Sequence, residues 1–520
     1  MKKGIKRILS AFLAAVMVVC AAPLSGFVGL DFDLGWLDFS TKSSAFDPSG
    51  SCGENVTYTF DEDTGLLTIS GTGDMQNYSL SESPFYNNRS IISIVINKGI
   101  TSIGAYAFYY CFNLTSISIP DSVTSIGSSA FYGCSGLTSI NIPDSVSSIG
   151  NSAFYGCRKI TSIKIPNSVT SIGNLIFFDC DALSSIIVDK ENIVYDSREN
   201  CNAIIKTKNN ELIYGCKASI IPDGVTSIGD YAFYNCIGLT SINIPDSVTS
   251  IGSHAFGYCI DLTSINISDS ITSIGYYAFS HCSGLTSIII PNDVTSIGDC
   301  VFYECSGLTS IIIPDSVTSI GYSAFKGCCG MVSINLPDSV TSIGDSAFSG
   351  CSGMVSVNLS DSVTSIGRDA FEGCSSLLSI NIPESVTYIG DNSFNGCSEL
   401  TSITVNEKNS VYDSREKSNA IINSETDELI FGCKETVIPY SVTRIGDYAF
   451  SGCSGLTGIS IPDSIKSIGA SAFKYCNGLA TINISNGVTN IGENAFYGCS
   501  GLTSISIPDS VTGISDSAFR

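Results

Sequence analysis

The chain has 520 residues, a formal net charge of −23, 43% hydrophobic residues and 14% charged residues. That apolar content is enough for a packed core and argues against wholesale disorder. The acidic balance repels nucleic acid and anionic membrane surfaces, so neither is expected as a partner.

Lys2, Lys3, Lys6 and Arg7 precede an apolar run from Ile8 to Leu24. The run is short for a bilayer span and has the flanks of a signal peptide, so residues 1–24 are expected to be an export signal. Ala21–Ala22 and Ser43–Ala45 are both candidate cleavage points. Cys20 invites a lipoprotein reading, but Val19 stands where a small residue is needed. Residues 25–49 read as a leader or linker. No later stretch is long and apolar enough to span a bilayer. The expected location is secreted, extracellular or cell surface.

In the next segment, Val56-Thr-Tyr-Thr-Phe60 and Leu66-Leu-Thr-Ile-Ser70 flank Asp61-Glu-Asp-Thr-Gly65. Alternating apolar residues around a polar, glycine-ended turn predict a β-hairpin, and residues 50–95 are expected to form a capping region.

From residue 96 to 520 the chain repeats itself. The segment Val123-Thr-Ser-Ile-Gly-Ser-Ser-Ala-Phe131 recurs with its aromatic at Phe108, Phe131, Phe154 and Phe177. It resumes from Phe233 to Phe394 and again from Phe450 to Phe519, always in steps of 23 residues. Such a period is the signature of a solenoid, whose units are too small to bury their own apolar face and must stack. Within one unit, Leu137, Ile140 and Ile142 should point inward and Ser139 and Asn141 outward. Pro143-Asp144-Ser145 breaks this strand. Val146-Ser-Ser-Ile149 is a second short extended piece, and Gly150 should mark a bend that a side chain would obstruct. Asn151 to Cys157 should turn back, in the manner of a helical turn, burying Ala153, Phe154 and Cys157. The expected fold is a repeat solenoid with a parallel β-sheet face, mainly β with short helical turns. At roughly 4.8 Å per stacked strand it would span roughly 80–90 Å.

The unit reads C-x-x-L-T-S-I-x-I-P-D-S-V-T-S-I-G-x-x-A-F and resembles the BspA-like class of bacterial leucine-rich repeats over about residues 95–520. The segment from Gly50 to Arg89 also looks like the N-terminal region of such proteins. The resemblance implies a leucine-rich-repeat solenoid on a bacterial surface that binds proteins of the host matrix or of neighbouring cells. The chain stops in mid-repeat at Arg520, which leaves the anchoring mode open.

Two 33-residue insertions, near 188–220 and 405–437, interrupt the array and are near-copies. Tyr195-Asp-Ser-Arg198 matches Tyr412-Asp-Ser-Arg415, and Glu211-Leu-Ile-Tyr-Gly-Cys216 matches Glu428-Leu-Ile-Phe-Gly-Cys433. Apolar segments on either side of Lys206–Asn210 predict a hairpin or long coil. Because the matching residues look like fold determinants, an expanded repeat is favoured over a protruding recognition element.

No residue pattern calls for catalysis, a metal or a cofactor. Fifteen of the 22 cysteines form one column, Cys111 to Cys499, at one per repeat. Zinc needs close local ligand sets, and neighbouring rungs aim their side chains alongside rather than at one another, so buried free thiols are expected. Cys201 is Ser418 in the second insertion, which rules out a required bridge to Cys216. Cys300 and Cys329 lie outside the column and are expected to be exposed. The two histidines, His254 and His281, stand in different columns and read as surface substitutions. A column of aspartates, from Asp121 and Asp144 to Asp509, follows the strand. One carboxylate per rung is too few for Ca²⁺, so a turn-forming, solubilising role is expected.

What remains is the outward strand position: Ser118, Asn141, Lys164, Ile187, Asn243, Asn266, Ile289, Ile312, Asn335, Asn358, Asn381, Thr404, Ser460, Asn483 and Ser506. The expected function is a secreted or cell-surface binding and adhesion protein, not an enzyme. A carbohydrate-binding or structural cell-wall role is the alternative, resting on tyrosines such as Tyr109, Tyr132, Tyr155 and Tyr234. No single binding site can be assigned from the sequence, because the period multiplies every candidate residue.

Overall fold

A computed structural model describes residues 46–520, which contain one compact unit, Asp47–Arg520. The expected export signal and its cleavage points lie outside the described residues.

Strands β1 (Ser49–Gly53), β2 (Val56–Asp61) and β3 (Leu66–Gly71) form an antiparallel meander. β3 then pairs in parallel with Ser93–Ile96, which pairs with Ser116–Ser118. The hairpin region is thus the first rung of the ladder that follows. In β2, Val56, Tyr58 and Phe60 are buried and the residues between them exposed, the alternation expected of a sheet with one wet face.

Most 23-residue coils contribute two short strands, one on each of two sides, and these pair in parallel with the strands of neighbouring coils. Along the first, Ser162–Ile165 pairs with Ser185–Val188 in register, and Ser241–Asn243 with Ser264–Asn266. Along the second, Ser125–Ile126 pairs with Ser148–Ile149, and Ser148–Ile149 with Ser171–Ile172. Leu137, Ile140 and Ile142 are buried while Ser139 and Asn141 are exposed, as the alternation predicts.

The third side of the coil is a run of turns rather than a helix. Ser129 and Gly133 both have left-handed backbones, at φ 53° and 71°, which prevents a right-handed helix from propagating. Alternate amides are then free to bond the next coil: Ser129 to Asn151 O at 2.8 Å, Phe131 to Ala153 O at 2.9 Å and Gly133 to Tyr155 O at 2.7 Å. Backbone hydrogen bonds therefore link the coils on all three sides. Among the described residues the helices are two three-residue 3₁₀ turns, Arg198–Asn200 and Arg415–Lys417, one in each insertion.

Gly150 acts through close approach. Its backbone lies over the coil before, and a Cβ there would stand 2.7 Å from the carbonyl carbon of Gly127. The φ of Gly150 is not left-handed; stacking, not conformational freedom, demands the glycine.

The core is a stack of phenylalanines. Phe108 and Phe131 are 5.5 Å apart at their centroids, and Phe325 and Phe348 are stacked 5.3 Å apart with nearly parallel rings. The stack begins one coil earlier than the motif count, at Phe85, which stacks on Phe108 at 5.4 Å. Tyr58 of the hairpin meets Phe85 edge-on at 4.9 Å and covers that end of the stack.

Candidate interaction surface

All fifteen residues of the outward strand column are exposed. Parallel in-register pairing lines them up, one per coil, as with Ser241, Ile242 and Asn243 opposite Ser264, Ile265 and Asn266. Neighbours in the column hold each other: Asn266 Nδ2 donates to Asn243 Oδ1 at 2.6 Å, and Thr404 Oγ1 to Asn381 Oδ1 at 2.9 Å. Lys164 pairs instead with Asp189 at 2.9 Å.

A second exposed column lies three residues earlier, at the Thr of L-T-S-I. Thr263 Oγ1 donates to Thr240 O at 3.0 Å, and Thr309 Oγ1 to Thr286 O at 3.0 Å, each bonding the coil before. In three successive coils this threonine is replaced by Val332, Val355 and Leu378. Together with Ile289 and Ile312 of the first column, they leave five apolar side chains 38–65% exposed in five consecutive coils. Of these five, only Ile289 and Ile312 stand in the outward column read from the sequence. The loss of threonine in three successive copies is the signal that points to the rest.

The aspartate column is exposed throughout and borders this face. Its fold role falls to the next residue: Ser145 Oγ donates to Val123 O at 2.5 Å, and Ser316 Oγ to Val294 O at 2.7 Å. No group of three or more His, Cys, Asp or Glu side chains positioned for a metal occurs among the described residues.

The insertions are built from duplicated hydrogen bonds. Arg198 grips Asp196 with both Nε and Nη2, at 2.9 and 2.6 Å; Arg415 grips Asp413 at 2.8 and 2.6 Å. Tyr195 and Tyr412 each accept an amide from the preceding coil, Ile172 and Ile389, at 3.2 Å. Asn192 and Asn409 each donate to two carbonyls of the previous coil and accept two amides of their own. The hairpin predicted around Lys206–Asn210 is present: Ile204–Lys206 pairs antiparallel with Glu211–Tyr214, which rejoins the parallel ladder at Ser227–Ile228. Tyr214 and Phe431 continue the phenylalanine stack edge-on, against Phe177 at 5.9 Å and Phe394 at 5.4 Å. The next residue is glycine in both copies, and a Cβ on Gly215 or Gly432 would enter the ring of Phe233 or Phe450. These matched residues hold the fold together.

A family profile described as "BspA type Leucine rich repeat region (6 copies)" matches residues 78–205, 209–331, 320–426 and 430–520. The chain belongs to the BspA-type leucine-rich-repeat family. A leucine-rich repeat protein from Eubacterium ventriosum is similar at 26% identity and TM-score 0.54, over 68% of this chain and 95% of that one. One from Bacteroides ovatus matches at 27% identity and TM-score 0.47, over 83% and 99%. A leucine rich cell surface protein from Faecalibacterium prausnitzii matches at 32% identity and TM-score 0.45, over 63% and 84%. No curated protein matches the chain. No helix among the described residues is long and apolar enough to cross a membrane.

Within this BspA-type solenoid the cysteine column has a polar task. Cys134 Sγ donates to Phe108 O at 3.2 Å, one coil back, and the same bond recurs at Cys157, Cys282 and Cys374. Cys236 and Cys453, the first rungs after each insertion, have no such bond, because the insertion breaks the 23-residue register and the residue 26 positions earlier, Asn210 or Asp427, lies in the turn of a hairpin. Burial pushes the Cys111 and Cys259 thiols up to about 12, so thiolate is scarce. The described cysteines are all free, including Cys201 and Cys216. Cys329 is exposed as expected, but Cys300 is buried, its thiol 3.6 Å from Tyr322 O.

His254 is not a plain surface substitution either. It is sandwiched between Tyr231 at 4.8 Å and Tyr277 at 4.9 Å, its Nδ1 is buried without a partner, and burial pulls its pKa down to about 4. His281 stacks on Tyr258 at 4.2 Å. The tyrosines behind the glycan reading cover one another: Tyr109 on Tyr132 at 4.6 Å, Tyr132 on Tyr155 at 4.2 Å, then Phe178 and Tyr234 in the same stack. A sugar ring needs a free aromatic face, and these faces are occupied.

Proposed function

We propose that this chain is an exported surface protein that adheres by presenting its strand face to proteins of the host matrix or of neighbouring cells, and that it is not an enzyme. The single observation that carries the reading is the outward strand column, exposed at all fifteen positions and held in register where neighbouring strands pair, as from Ser333–Asn335 through Ser402–Val405. Extended solenoid faces of this kind suit large partners. Two further features support it. The first 24 residues have the pattern of an export signal, and the hairpin of residues 50–95 reads as the N-terminal cap of the array. The serines, aspartates and column cysteines are multiplied by the period, and the two histidines stand in different columns, whereas catalysis needs one asymmetric constellation. Immobilised chain should retain matrix proteins or whole neighbouring cells in a pull-down or adhesion assay. Retention of neither overturns the reading.

A further inference from the structure

We propose that the stripe formed by Ile289, Ile312, Val332, Val355 and Leu378 docks a cationic segment of a partner protein that carries apolar side chains on one face. The inference rests on the protein-binding reading and names the part of the strand face that carries it. The fold does not account for these five residues. Their side chains are 38–65% exposed, so they add little to the core. Val332, Val355 and Leu378 also give up the hydroxyl bond to the preceding coil that Thr309 makes at 3.0 Å. Elsewhere the same columns carry mostly Asn, Ser and Thr, which the fold accepts. Single exposed apolar residues are ordinary, but five in consecutive coils mark an interaction surface.

The stripe crosses five coils, on the order of 20 Å at the usual strand spacing. It is open, so it suits a polypeptide better than a small ligand, which needs a concave site. Charge selects the partner. Asp293, Asp315, Asp338, Asp361 and Glu384 follow the strand in the same five coils, and all are exposed. No strand-face residue between positions 285 and 384 is basic; Lys326 and Arg368 lie on the turn side of their coils. Carboxylates repeated roughly every 5 Å repel one another, and a row of Lys or Arg side chains relieves that repulsion. A second copy of this chain would set one acidic rim against another, which disfavours self-association through the stripe.

The test uses the full chain and a fluorescein-labelled amphipathic peptide of leucine and lysine, with a leucine–glutamate peptide as control, read by anisotropy. The stripe variant combines Ile289→Asn, Ile312→Asn, Val332→Thr, Val355→Thr and Leu378→Thr, residue types that other copies already carry at these positions. A rim variant combines Asp315→Asn, Asp338→Asn and Asp361→Asn and leaves the apolar residues in place. The wild type should bind the lysine peptide and not the glutamate peptide. The stripe variant should bind at least about tenfold more weakly, and the rim variant should bind more weakly with a flatter salt dependence. Equal binding by wild type and stripe variant, or no binding by wild type, overturns the proposal. So does a wild type that sediments as a dimer while the stripe variant sediments as a monomer, since a second copy then fills the stripe. If the stripe variant still retains matrix proteins or cells, this inference fails while the binding function stands.

Discussion

The thiol of Cys134 donates a hydrogen bond to the carbonyl of Phe108 at 3.2 Å, joining two coils through their most buried residues. That carbonyl also accepts the amide of Cys111 within its own coil at 3.2 Å. The column therefore supplies the second donor to an acceptor that water cannot reach. Replacing Cys134 with Ala removes the donor and leaves a small void, and is expected to lower stability by about 1–2 kcal/mol. Urea denaturation followed by circular dichroism measures it. Cys236→Ala, which loses no such bond, should lose less.

Thiol reactivity should separate the cysteines. Cys329 is the exposed one among the described residues, whereas burial holds the Cys305 and Cys397 thiols at about 12. With an aromatic disulfide reagent at neutral pH, Cys329 should react first, and Cys329→Ser should remove that phase. The buried rungs of the column, all but the half-buried Cys236 and Cys499, should react only on unfolding. A native chain whose column cysteines react as fast as Cys329 would contradict the burial described above.

The two insertions offer an internal control. Ser418 is buried, its hydroxyl has no hydrogen-bond partner, and its counterpart Cys201 is equally buried. A buried, unsatisfied hydroxyl costs about 1–3 kcal/mol, while a thiol behaves as a small apolar group. Ser418→Cys should stabilise the chain by about 1 kcal/mol, and Cys201→Ser should destabilise it. The same sign for both substitutions in a denaturant titration would refute the account.

Gly215 is held by the ring of Phe233. Gly215→Ala places a methyl inside that ring and should lower stability by about 1–3 kcal/mol, the usual range for overpacking. Phe233→Leu in the same chain should recover part of the loss, because the smaller side chain vacates the space. A double-mutant cycle reads the coupling directly, and strictly additive losses would show that the two residues do not compete.

Acid should weaken the fold through His254. Its pKa falls from 6.5 to about 4 because burial penalises the imidazolium. As pH drops below 6.5 the unfolded chain takes up the proton first, so stability declines between pH 6.5 and about 4 and levels off below that. His254→Tyr, the residue its column carries at Tyr231 and Tyr277, should remove this component. The difference between wild type and variant, by denaturation at pH 7 and pH 4.5, isolates it from carboxylate titration common to both.

The amino-acid pattern alone determined the period, the inward and outward faces, and the identity of each column. Side-chain alternation along Leu137–Ile142 and the 23-residue recurrence are local properties, and stacking merely repeats them. The turn-for-helix exchange was not legible, because it depends on amides such as Phe131 bonding a carbonyl 22 residues away. The cysteine bond was hidden for the same reason: its partner is 26 residues back, and only the coil-to-coil register brings the two together. His254 reads as a surface residue until the neighbouring coils place Tyr231 and Tyr277 over both of its faces. Ile289 and Leu378, in different columns and four coils apart, belong to one stripe only because parallel stacking lays consecutive coils side by side.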